Sequence, residues 1–152
     1  MTYNEKVKTL TEKYEPRIRA LLARYGEAFR AAGYGWDGEI RAEADEEYRW
    51  QVTLLRPGTE QDEESGRPPD DAVDVTFIVC EEKEYDDADG EGVTFRLDLT
   101  EVGGRILGGQ APYNYTPKCW LPLDDEDEIE ARFRLFEAAD FASAVKVAEE
   151  AV

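Results

Sequence analysis

The chain has 152 residues, thirty-six of them acidic against eighteen basic, and no histidine, for a formal charge of −18 at pH 7. A charge of that sign argues against a nucleic-acid partner, because neutralising phosphate takes a clustered positive surface. The missing histidine removes Ser-His-Asp and Cys-His chemistry within one chain, together with the commonest metal ligand.

Apolar residues make up 41%, with eight tyrosines, six phenylalanines and three tryptophans. A chain of this length buries roughly 68–70% of its unfolded surface, so a single α+β domain over 1–152 is expected. The first residues hold no signal-peptide apolar core, and the longest apolar run, 75–80, is far too short to cross a bilayer. The expectation is a cytoplasmic protein without a membrane partner.

Residues 2–32 read as helix. Tyr3, Val7, Leu10, Tyr14, Ile18, Leu21, Tyr25 and Phe29 recur at three- and four-residue spacing and form one apolar face. Pro16 falls inside that pattern and is expected to kink the helix or divide it near Glu15. Gly33 is expected to end it.

Strands follow. Ile40, Ala42 and Ala44 alternate with charged residues, and after a turn at Asp45–Glu46 so do Tyr48, Trp50, Val52 and Leu54. Segment 57–71 is rich in proline, glycine and carboxylates and is expected to be a mobile loop. Val73, Val75, Phe77 and Val79 then mark a third strand, and Val93, Phe95, Leu97 and Leu99 a fourth. The predicted architecture is a two-layer α+β sandwich. It has an N-terminal helix kinked near Pro16, a four-stranded antiparallel meander, and C-terminal helices on the same face.

Ile78 and Cys80 stand on the supposedly polar side of the third strand and need a cover, for which segment 103–121 or a second copy is available; monomer and homodimer both stay open. A glycine-rich bend (Gly103, Gly104, Gly108, Gly109) leads into an aromatic stretch ending at Trp120. Asp125 and Glu128 are spaced to cap a helix with Ile129, Phe133 and Phe136 inward, and Asp140 to cap a last short one carrying Val145 and Ala148.

The acidic spacing from Asp87 through Asp89 and Glu91 to Asp98 partly matches a calcium loop, but strand-like flanks stand where helices belong, so a hairpin turn is the better account. Asp124 to Glu128 is explained by charge at a helix start without magnesium. Cys80 and Cys119 make no zinc site without histidine. No metal and no cofactor is expected. The polar sheet face, where Arg and Asp alternate, is expected to be held by cross-strand pairs.

Two accounts fit the charge: adaptation to concentrated salt, which screens self-repulsion, and a surface for a basic protein partner. The aromatic stretch supplies the candidate partner-binding residues Tyr113, Tyr115 and Trp120, since large amphipathic rings are enriched at binding hot spots. The expectation is a non-catalytic interaction module of inhibitor, immunity, adaptor or client-binding type. The alternative is a small carboxylate- or divalent-ion-dependent enzyme or ligand-binding domain, with a perturbed carboxylate between sheet and C-terminal helices.

Overall fold

The computed structural model describes residues 2–45, 47–57, 72–81, 91–101, 106–109 and 120–150. The segment expected to be a mobile loop lies, after Pro57, outside the described residues.

Helix α1, Tyr3–Ala31, begins at a reciprocal cap. The Thr2 hydroxyl accepts from the Glu5 N–H at 3.2 Å, and the Glu5 carboxylate accepts from the Thr2 N–H at 3.3 Å. Its buried stripe holds the residues read from the spacing except Leu10, which is half-buried, and adds Thr11, Leu22 and Gly26; the Thr11 hydroxyl donates to the Val7 carbonyl at 2.7 Å. The helix is not divided near Glu15. It runs through Pro16, which stands on the exposed side, where water can take the carbonyl that loses its N–H partner. Buried Tyr14 and Ile18 anchor the chain on either side of the proline. Gly33 then adopts φ +96°, a left-handed conformation that suits glycine, and turns the chain back so that Tyr34 packs edge-on against Phe29 with ring centres 4.9 Å apart.

The four expected strands are β1 Arg41–Ala44, β2 Tyr48–Leu55, β3 Ala72–Glu81 and β4 Gly92–Glu101, paired antiparallel in that order. Two short strands extend the meander. Both β5, Ile106–Gly109, and β6, Trp120–Pro122, pair antiparallel with β4: β5 along Asp98 to Thr100 and β6 along Gly92 to Thr94. The Gly108–Gly109 pair, expected in a bend, thus belongs to a strand, and its lack of side chains hides the period of two.

Helices α2, Glu126–Glu137, and α3, Phe141–Glu150, follow. The Asp125 carboxylate accepts from the Glu128 N–H at 3.1 Å, and Asp140 accepts from the Ala142 N–H at 3.1 Å and the Ser143 hydroxyl at 2.8 Å. All three helices join one apolar core with one face of the sheet. At its centre Phe133 of α2 lies 4.9 Å from Tyr14 of α1, 5.8 Å from Phe77 of β3 and 6.0 Å from Phe95 of β4, ring centre to ring centre. Burying each such aromatic contributes on the order of 1.5–3 kcal/mol. Among the described residues no helix is long and apolar enough to cross a membrane.

Candidate functional site

Charge is unevenly distributed over this framework. Helix α1 alone carries seven basic and four acidic residues, leaving eleven basic against thirty-two acidic for the rest of the chain. The cations of α1 are largely spent inside the fold. Arg17 reaches across to α2 and grips Glu130 with two parallel bonds, Nη1 to Oε1 at 2.6 Å and Nη2 to Oε2 at 2.9 Å, and also bonds Glu137. Its guanidinium lies over the Phe133 ring, 4.8 Å from the centre. Arg24 donates to the Glu137 carbonyl at 3.1 Å and stacks over Phe141 at 4.3 Å. Arg56, just beyond β2, donates to the Ala148 carbonyl at 2.7 Å. Two arginines therefore satisfy carbonyls at the ends of α2 and α3, where the helix dipole favours a cation.

The clamp reshapes titration. Hydrogen bonds from Arg17, against a smaller opposing effect of desolvation, lower the Glu130 carboxyl from its ordinary 4.5 to about 2. Burial, with the nearby Glu130 charge, raises the Tyr14 hydroxyl to about 12.

Carboxylates without such employment face outward. Asp124, Asp125, Glu126, Asp127 and Glu128 are all exposed at the start of α2. A second group, Glu39, Glu43 and Asp45, is exposed before, within and after β1. Among the described residues no group of three or more carboxylates or thiols is placed to hold a metal ion. Asp87 and Asp89 of the calcium-like spacing lie outside the described residues, while Asp98 sits in β4 with its carboxylate 2.8 Å from Arg96 Nε.

The outer face of the sheet is more shielded than its polar sequence suggests. Thr76, Ile78 and Thr94 are 6%, 3% and 1% exposed. Ile78 is thus covered, and Cys80 is half-buried. The segment expected to cover them lies mostly outside the described residues. Pairing here runs along strands as well as across them: along them, Arg96 pairs with Asp98, and Arg49 with Glu47 at 2.6 Å. Across strands, the Cys80 thiol donates to the other Glu47 oxygen at 3.3 Å and the Thr53 hydroxyl to Asp74 at 2.7 Å. Desolvation raises the Glu47 carboxyl, but the Arg49 and Cys80 bonds outweigh it and the net shift is downward. Asp74 goes the other way: burial pushes its carboxyl up, only partly offset by Thr53, Arg41 and Gln51.

Of the expected partner-binding residues, Tyr113 and Tyr115 lie outside the described residues, as does Cys119. Trp120 is half-buried in β6, opposite Thr94. Its indole lies so close to Gly92 that a Cβ there would overlap the ring. The Gly92 carbonyl in turn accepts from the buried Tyr3 hydroxyl at 2.5 Å. Sequence reasoning missed the arginine clamp and the Glu47–Cys80 bond. Arg17 four residues before Leu21 on a buried stripe was the available signal for the first; nothing local signals the second.

Comparison with known protein families, with curated proteins and with solved structures finds no match.

Proposed function

We propose that this chain is a non-catalytic acidic protein-interaction module of inhibitor, immunity, adaptor or client-binding type, suited to concentrated salt, whose partner presents a basic surface. The observation that carries this reading is the division of labour among charges. The scarce cations hold α2 and α3 to α1, and the carboxylates at the start of α2 and around β1 stay exposed. An outward negative potential accelerates encounter with a cationic surface and rejects acidic competitors. Of the shifted carboxylates, Glu130 is taken up by the Arg17 clamp, and Asp74 stands on the outer sheet face bonded to Thr53, away from the cleft between sheet and C-terminal helices. That placement favours the interaction reading over the enzymatic one.

The test has two arms. Thermal unfolding in potassium chloride from about 0.1 M to about 3 M, over which the screening length falls from roughly 10 Å to below 3 Å, should show a rising midpoint. Capture from native extract at native salt should retain a basic protein that molar salt elutes. Retention of no partner overturns the interaction reading, whatever the salt dependence of folding.

A further inference from the structure

We infer that β1 is a docking edge to which an extended, basic segment of another protein adds as a further strand. This site rests on the interaction reading above and gives it a location. Strand β1 pairs only with β2 among the described residues, and all four of its residues are exposed. The register sets Ala42 opposite Trp50 and Ala44 opposite Tyr48, so both alanines stand on the helix-facing side of the sheet. Helix α1 covers Trp50, which is 2% exposed, and stops short of the alanines. What remains is a groove of about 200 Å³ between α1 and β1, floored by Ala42, Ala44, Tyr48 and Trp50. The Trp50 indole N–H is already engaged by Glu15 at 3.0 Å, which fixes the floor.

Charge selects the occupant. Glu12, Glu15 and Glu43 stand around the groove against a single lysine, Lys8. Glu39 and Asp45 continue the negative run on either side of the strand, Glu47 being paired with Arg49 and Arg41 standing within the strand itself. A strand laid antiparallel or parallel to β1 would satisfy the free edge with main-chain bonds, the usual mode of β-augmentation. Its alternate side chains would point into the groove on one side and toward the carboxylates on the other. Small apolar residues alternating with lysine or arginine fit both. A second copy fits less well, because its own β1 region carries the same excess of carboxylates over cations.

The full chain is titrated with a blocked peptide of alternating valine and lysine long enough to span β1, following amide shifts and hydrogen exchange. Amides of 41–44 should shift and gain protection. The variant Ala42→Arg, which fills the groove with a cation at an exposed position, should weaken binding about tenfold or more through bulk and like charge. Ala142→Arg, the same charge change on exposed α3, should leave affinity within about twofold, since distant rim charges alter it little. Glu43→Lys repeats the test should Ala42→Arg lower the melting point. Equal losses in both arginine variants, or shifts centred on 124–128, overturn the β1 site while leaving the interaction reading in place. Absence of binding at every salt concentration overturns the β1 site, and failure of the native-extract capture as well removes the reading beneath it.

Discussion

On the helix-covered face of the sheet, Phe77, Phe95 and Leu97 are fully buried among apolar side chains; one residue along the same strands, Thr76, Thr94 and Ile78 are nearly as buried beside Asp74, Arg96 and Asp98. The first face gains its stability from area and close packing, which tolerate no missing volume. The second depends on each polar group finding a partner, which leaves its energetics open to pH and salt. Burial alone therefore does not distinguish the faces. Their response to perturbation does.

The largest break in that comparison is expected from Phe133→Ala, which empties the point where α1, α2, β3 and β4 meet. The expected loss is about 3–5 kcal/mol in urea-induced unfolding. Next comes Gly92→Ala, on the outer face, whose added methyl meets the Trp120 indole. A cost of about 1–3 kcal/mol follows from overpacking. Pairing it with Trp120→Ala should recover much of that loss, and a strictly additive double mutant would show that the indole contact is not the cause.

Arg17→Gln should cost about 1 kcal/mol, the upper end for a partly exposed pair, because one arginine serves two carboxylates. Its pH signature sharpens the assignment. Glu130 has a depressed folded value, so the stability it contributes is present above its ordinary 4.5 and fades as pH falls toward about 2. The deficit of Arg17→Gln should accordingly shrink over that window. The smallest effect is expected from Asp74→Asn, within about 0.5 kcal/mol at neutral pH, with the opposite signature. Its folded value is raised, so the contribution of Asp74 is fully present below its ordinary 3.8 and is lost as pH rises through the folded value. The variant should gain on the parent as pH climbs from acid to neutral, and a flat difference would refute the burial argument.

Much of the inner face was legible because its residues obey a period: the stripe from Tyr3 to Phe29 and the alternation of Val73 to Val79 are patterns any single segment displays. Gly33 and Asp125 were legible for the same reason, since a cap is a local signal. The continuity of α1 through Pro16 was not, because it depends on which side of the helix the proline faces once Tyr14 and Ile18 are buried. Strand β5 was hidden by its glycines and β6 by its length. The candidate site was less legible still. The bond from Cys80 to Glu47 joins residues far apart in the chain, and the exposure of Ala42 and Ala44 depends on where α1 stops covering the sheet. Neither is written in a short window.

The clamp between Tyr14, Arg17 and Phe133 has a consequence for biosynthesis. At about 5–20 residues per second, Phe133 is added roughly 6–24 s after Tyr14 has been polymerised. Throughout that interval the longest helix has made its apolar stripe without the partner that seals it, and the arginines that will close the last two helices have no carbonyls to meet. Until then the stripe stays open to solvent, which makes the interval before α2 is made an aggregation-exposed part of synthesis.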